Sequence, residues 1–431
     1  MIKEISEKIR ELFKTRKDIL QGYIWRSIQT FGKQGSSFII FMIATSLLPA
    51  ESMGIYNYVY ATVVLLISFA DFGISTATAK YVAQYQIEKP EKVKNILFNS
   101  TILVVFMGVF VSFIVFIFGK TLLGEYYQLF VYISPLIFIS PISSILDGYY
   151  RGLRKFKKLA IVSILIGLFS VSCSYFLISK YGILGALFSQ NILYFLYIPA
   201  LLFGIGLIRF NFDKEIVKKI AQYSLVFGIA TLGYLLYSRV NTLILGEYGY
   251  FEEIAYYEFS NKIFNILILP FNILGQVLLP SVAGAYTKGK YVEIKNVFRK
   301  FTKIFTGIVV IAIPVVFILI RVFVHKFYPL YDNQTFYTIL LPVLIIYGGL
   351  AFSGPVTNGI IVSTGHASLL AVINIVFGVL NVIVSFLLIN SYGYISVIWT
   401  TVITQTLGII ILYFLYYKKL NLLTLDTSKS G

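Results

Sequence analysis

Five cations interrupt stretches of this 431-residue chain that are otherwise apolar: Arg26, Lys33, Arg239, Lys262 and Arg321. A charge at the centre of a lipid-facing helix costs about 2.5 to 3.5 kcal/mol even on the lenient insertion scale. Several such costs rival the whole stability of an ordinary fold, roughly 5 to 15 kcal/mol, so these groups are expected to face a wet or protein-lined interior. Helical spacing agrees. At about 100° per residue, Arg26, Gln29, Thr30, Lys33 and Ser37 share one stripe of the first apolar stretch, whereas Ile24, Ile28, Phe31 and Phe38 lie away from it. Asn57, Tyr60, Ser68, Asp71 and Ser75 form a second stripe. Thr231, Tyr234, Ser238 and Asn241 form a third, and Asn261, Asn265, Asn272 and Gln276 a fourth. Cations among hydroxyl and amide donors supply the countercharge an anion needs inside a bilayer.

Each of these residues has a simpler explanation as well. Arg26 lies about four residues from the inner end of its stretch, within snorkelling reach of the headgroups; Lys33 lies two turns deeper, and Arg321 lies near an outer end, where snorkelling is favoured. Arg239 and Lys262 are as well suited to an ion pair as to a ligand, Glu258 being a candidate partner of Lys262. The amides of the fourth stripe could serve as interhelical glue. His325 and His366 stand at stretch ends, where a solvated role is expected rather than proton relay. Asp71 is the candidate for a coupling proton or sodium ion; its alternatives are pairing with Lys80 or capping a broken helix at DFGIS. Asp147, beside YYRGLRKFKK, is expected in a structural pairing.

The elements that must position these groups are helices in a membrane. Hydrophobic residues make up 58% of the chain and charged ones 13%, against about 25% charged in soluble domains, and the mean hydropathy is +0.83. A water-soluble fold is excluded. Runs near the roughly 20 residues needed to cross hydrocarbon number about twelve: 22–48, 54–78, 96–118, 127–147, 159–178, 184–208, 222–246, 255–283, 301–325, 336–364, 369–389 and 395–417. The charged first 20 residues do not read as a cleavable signal peptide. Lys and Arg set the orientation: the two ends and the connections after even-numbered spans hold 28, the connections after odd-numbered spans 3. Both termini are therefore expected in the cytoplasm. The net charge of +17 forms a rim suited to anionic lipid headgroups rather than nucleic acid. Ile2, Ile5, Ile9, Leu12 and Phe13 place an apolar face on residues 1–21, expected as an amphipathic helix on the inner surface.

The chain is also a tandem repeat. A shift of 201 aligns Glu51 with Glu252, Tyr85 with Tyr286, Lys89 with Lys290, and Asp71 with Asn272. A shift of 211 aligns Gly148 with Gly359, Asp147 with Asn358, and SYFLISKYG (174–182) with SFLLINSYG (385–393). Six spans were duplicated, and because six is even, both copies enter from the same side. The expected organisation is an amino-terminal lobe at 22–210, a carboxyl-terminal lobe at 211–417 and a cytoplasmic tail at 418–431. Spans 1, 2, 7 and 8 are expected to line a cleft between the lobes.

LLPAESMGIYNYVYA, DFGISTATAKYVA, RGLRKFKK, VLLPSVAGAY and NVIVSFLLINSYGYISVIWTTVITQ together resemble the Wzx-type polysaccharide and oligosaccharide flippases of the multidrug, oligosaccharidyl-lipid and polysaccharide (MOP) exporter superfamily. The resemblance spans nearly the whole chain. It implies an all-α polytopic membrane protein of two pseudo-symmetric six-helix lobes forming a V. It also implies alternating access in the cell membrane and a cationic cavity that passes a polyprenyl-(pyro)phosphate-linked oligosaccharide from the inner to the outer leaflet. On that reading Arg26, Lys33, Arg239 and Lys262 meet the anionic headgroup, and Gln29, Thr30, Asn57, Ser68, Asn261, Asn265, Asn272 and Gln276 line the cavity. Membrane lipids and polysaccharide assembly proteins are the further partners implied. Asn241 departs from the pattern, standing where the family often has Asp. No nucleotide-binding glycine loop, zinc spacing or nucleophile triad occurs, so no enzyme and no cofactor is expected, and energy must come from a gradient or the membrane potential. A cation-coupled drug antiporter of the same superfamily and, less well, a membrane glycan polymerase or ligase are the alternatives.

Overall fold

A computed structural model of the chain describes residues 2–206, 211–269, 271 and 282–429, without the side chains of 2–20, 22, 23, 122, 226, 230, 234, 237, 351, 352, 358 and 425–429. Every regular element among the described residues is helical, as a hydrocarbon environment demands of a chain that must satisfy its own backbone groups. Apolar length sets where helices run; glycine, proline and short polar insertions set where they stop. The first half holds α1 (Ile2–Leu47), α2 (Ala50–Asp71), α3 (Ile74–Glu88), α4 (Val93–Leu123), α5 (Tyr127–Ile133), α6 (Leu136–Gly152), α7 (Phe156–Tyr181) and α8 (Ile183–Leu202). The second holds α9 (Lys214–Ser238), α10 (Val240–Glu247), α11 (Phe251–Leu267), α12 (Tyr291–Phe327), α13 (Gln334–Val356), α14 (Ala367–Tyr392) and α15 (Tyr394–Lys429).

Nine stretches of the described residues have the length and composition to cross a membrane, against about twelve expected. The expected spans in α1, in α9 with α10, and in α11 are outside that set; they carry the in-span cations Arg26 and Lys33, Arg239, and Lys262. Four expected spans are interrupted among the described residues: 54–78 between α2 and α3, 127–147 between α5 and α6, 222–246 between α9 and α10, and 336–364 at the end of α13. Phe72 and Gly73 take φ of 37° and 81°, which ends α2 and lets α3 restart at Ile74. In α13, Pro355 offers no N–H to the turn before it, and a π-turn follows over Thr357–Ile361. The expected surface helix at 1–21 is continuous in its backbone with the first span, α1 running unbroken over 46 residues; the apolar face assigned to Ile2, Ile5, Ile9, Leu12 and Phe13 lies outside the described side chains. Likewise α15 carries helix through to Lys429.

Packing divides the chain into two units, one of residues 1–48 and 62–231 and the other of 49–61 and 232–431. In the first, α1 lies along α7, and α6 is packed by α3, α4 and α8. Its core includes Tyr85, Ile96, Leu146, Tyr150 and Leu201. In the second, α13 is flanked by α11, α12 and α15, and α14 pairs with α15. Phe298, Ile360, Ile361 and Tyr416 form its core. Residues 49–61 group with the second unit through glycine contacts: a Cβ on Gly54 would lie 1.7 Å from the Phe251 carbonyl oxygen, and one on Gly246 2.0 Å from the Tyr58 ring.

Candidate functional site

The first unit brings three cations around one carboxylate. Arg26, Gln29 and Lys33 recur at i, i+3 and i+7 along α1, which puts them on one face. On α6, Asp147 and Arg151 stand at i and i+4 and meet that face. Gln29 donates through Nε2 to Asp147 Oδ1, and Arg26 donates to Gln29 Oε1. Arg26 NH1 lies 3.8 Å from Asp147 Oδ1, while Arg151 Nε lies 2.7 Å from Asp147 Oδ2. The last contact is one of charge more than direction, because the Nε hydrogen is not aimed at the oxygen. Lys33 meets no carboxylate at ion-pairing distance among the described residues. Its ammonium sits 5.1 Å and 5.2 Å from the ring centroids of Tyr194 and Tyr197 on α8, a cation–π arrangement within electrostatic range of Asp147.

Thr30 and Ser68 turn their hydroxyls back onto their own helices, donating to the carbonyls of Arg26 and Val64 at 2.9 Å. Such bonds satisfy a hydroxyl without a second helix. Asp71 accepts from the Ser75 backbone N–H at 3.0 Å and from the Ser75 hydroxyl at 2.8 Å. It thus caps α3 at the DFGIS break, and Lys80 instead lies 3.8 Å above the Tyr223 ring.

The second unit holds a carboxylate between cations of its own. Arg239 stands at the break between α9 and α10, and its NH1 is 3.6 Å from Glu258 Oε2. Thr242 donates to Glu258 Oε1 at 2.6 Å. Lys262, one turn beyond Glu258, lies within electrostatic range of both Arg239 and Glu258, so Arg239 shares the partner expected for Lys262. Asn261 is buried, and Asn265 donates to the Tyr347 hydroxyl at 2.9 Å. Asn57 is buried too, its Nδ2 without a hydrogen-bond partner among the described residues. Asn272 and Gln276 lie outside the described residues.

Beside this cluster, Asn241 enters a neutral buried network. It donates to Thr401 at 2.6 Å and to the Tyr257 hydroxyl at 3.2 Å, and accepts from Asn381 at 3.0 Å. Thr401 donates in turn to Asn381 Oδ1 at 3.0 Å.

His366 departs from its expected solvated place. It is buried, with Nδ1 3.1 Å from the Thr364 hydroxyl and its ring edge-on to Tyr286 and Tyr416, because the turn after the π-segment folds it into the second core. Residues not singled out from the sequence include Arg151, counted there only as part of the basic rim, and Tyr194, Tyr197, Asn381 and Thr401. Arg151 was findable: an acid and an arginine four residues apart on a helix are neighbours. The aromatic partners of Lys33 carry no such signal in a chain with 33 tyrosines and 38 phenylalanines.

Residues 19–285 match the family described as "Polysaccharide biosynthesis protein". The capsular polysaccharide biosynthesis protein CapF of Staphylococcus aureus is 24% identical over 413 residues, 88% of this chain and 95% of that protein. An uncharacterized membrane protein of Methanocaldococcus jannaschii is 24% identical over 52% of this chain, a match spanning only 60% of that relative. Among solved structures, an inward-facing multidrug resistance MATE transporter of the MOP superfamily superposes with a TM-score of 0.75 at 16% identity, covering 93% of this chain and 99% of the other. The lipid II flippase MurJ, in an inward closed conformation, superposes with a TM-score of 0.69 at 15% identity, covering 93% and 90%.

Proposed function

This chain belongs to the polysaccharide biosynthesis protein family and has the multi-span fold of the MOP-superfamily transporters, and we propose on that footing that it flips a polyprenyl-(pyro)phosphate-linked oligosaccharide from the inner to the outer leaflet of the cell membrane. The observation that carries the proposal is the excess of positive charge inside the first unit, where Arg26 and Arg151 share the single carboxylate of Asp147 and Lys33 beside them lies against aromatic rings. Cations are costly at membrane depth and persist there where they have work to do. A headgroup bearing phosphates supplies the charge this cluster lacks, through charge-assisted contacts that guanidinium and ammonium groups make best. Arg239 and Lys262 extend the same role to the second unit. The lipid tail stays in the bilayer while the headgroup passes by alternating access. Both termini face the cytoplasm on this reading, because 28 of the loop and terminal cations lie on that side and 3 on the other.

Complementation of a flippase-null strain tests it. The intact chain restores surface glycan, and Arg26→Ala and Lys33→Ala each cut that restoration by at least about ten-fold, the equivalent of one lost charge-assisted contact. Equal export by both variants and the parent removes the headgroup assignment. A drug antiporter of the same fold handles cations, for which a cluster with three positive groups to one negative is the wrong sign.

A further inference from the structure

We propose that Asp147 is a resident counter-anion that the cargo's phosphate displaces, so that release of cargo is driven by the return of Asp147 to Arg26 and Arg151. The inference rests on the headgroup reading above and goes beyond it by naming the group that competes with the headgroup.

The geometry shows a carboxylate held firmly enough to occupy the cluster and loosely enough to leave it. Its two oxygens face different helices, Oδ1 toward Gln29 and Arg26 of α1 and Oδ2 toward Arg151 of its own α6. The direct hydrogen bond to α1 comes from a neutral amide. The Arg26 guanidinium stands off at 3.8 Å, beyond hydrogen-bonding distance, and Arg151 Nε is near the carboxylate but not aimed at it. Neither guanidinium is therefore committed to the bidentate fork that makes an arginine–carboxylate pair strong. Lys33 has aromatic faces for company instead of an acid.

A phosphoryl group entering between α1 and α6 can take the places of both Asp147 oxygens and engage the guanidiniums in the fork they now lack. Once displaced, Asp147 remains on the same helix as Arg151 and repels the bound anion. Full neutralisation of the cluster by protein acids would exclude cargo, and no acid at all would trap it; one carboxylate among three cations lies between those extremes. The second repeat has an amide at the matching position, Asn358, so the exchange is a property of one lobe.

The test uses the purified full chain in detergent with farnesyl pyrophosphate as probe and farnesol as the uncharged control. Asp147→Asn binds farnesyl pyrophosphate at least about ten-fold tighter than the parent, most strongly at low salt, leaves farnesol unchanged, and slows flipping in vesicles. Asp147→Glu keeps the parent's affinity. A purely structural Asp147 gives the opposite pattern, with probe affinity in Asp147→Asn unchanged or weaker, and that result overturns the proposal. Should Asp147→Asn not fold, difference infrared spectra of the parent and Asp147→Glu decide: probe binding shifts a carboxylate stretch whose position differs between the two proteins, and no carboxylate change on binding is equally fatal. Loss of probe binding in Arg26→Ala without a gain in Asp147→Asn leaves the headgroup reading standing and removes the exchange alone. No binding to the parent removes both.

Discussion

Gly73 and Gly228 touch backbone to backbone where α9 crosses the break between α2 and α3. A Cβ on Gly73 would lie 3.2 Å from the Gly228 nitrogen, and one on Gly228 would lie 2.6 Å from the Phe72 ring. Gly73 also needs its left-handed φ of 81°, which glycine adopts without steric cost. The broken helix and the crossing helix are thus fitted together by the absence of two side chains. Gly228→Ala is expected to cost about 1 to 3 kcal/mol, the usual penalty of overpacking. Phe72→Ala in the same chain should recover part of it, with a coupling of about 0.5 kcal/mol or more between the two sites. Thermal midpoints of the four proteins in detergent measure the coupling. Strict additivity would mean that the ring is not what excludes the methyl group.

Arg154 and Gly365 occupy the same place in the two repeats, 211 residues apart, and both are left-handed, with φ of 56° and 81°. A side chain in that region costs on the order of 1 to 2 kcal/mol. Gly365→Ala should therefore lower the thermal midpoint. Arg154→Gly should not, since relief of the strain offsets the added freedom of the unfolded chain, roughly 0.5 to 1 kcal/mol. Equal losses in both variants would show that Arg154 earns its place by a contact rather than tolerating its backbone.

The repeat that predicts this pair was visible as a shift in the sequence, and a second pair at the same spacing, Gly182 and Gly393 with φ of 57° and 65°, ends α7 and α14 alike. Helical character and the polar stripe of α1 were legible for a related reason: both depend on spacing along one element. Partners across elements were not. That Asp147 would face Arg26 and Gln29, or that Asn241 would meet Asn381 and Thr401, depends on which helices pack together, and apolar spans of similar length look alike to one another. His366 was misplaced on the same ground, since a polar residue at a span end reads as solvated until a turn folds it inward. Asn241 also shows what a family expectation leaves out. Its amide both donates and accepts within a closed set of neutral groups, a balance that a carboxylate, acceptor only, cannot reproduce.

Asp71 caps α3 with both of its oxygens on Ser75, and that occupation competes with a role in ion coupling. Asp71→Ala is expected to cost about 1 kcal/mol, the usual worth of an N-terminal cap, and Asp71→Asn less, because its Oδ1 still accepts from the Ser75 N–H. Flipping by Asp71→Asn in vesicles should keep the parent's response to imposed proton and sodium gradients. A lost or altered response to either gradient would instead assign the coupling ion to this carboxylate.

Acid should loosen the connection between α12 and α13. Asp332 accepts from the Tyr337 hydroxyl at 2.5 Å and pairs with His325 Nδ1 at 2.6 Å. The hydroxyl first and the imidazole second hold its carboxyl below the usual range. A carboxyl whose folded-state pKa is depressed favours folding above its unfolded value near pH 4, and that contribution disappears as pH falls through the folded value. Asp332→Asn should therefore melt below the parent at pH 7, and the two midpoints should converge as the pH is taken from about 5 down to about 2.5. Asp332 is half-buried and its partner His325 is exposed, so added salt should narrow the gap at pH 7 as well. Midpoints that stay equally separated across that acid range would mean that the difference comes from shape at the loop and not from the charge on Asp332.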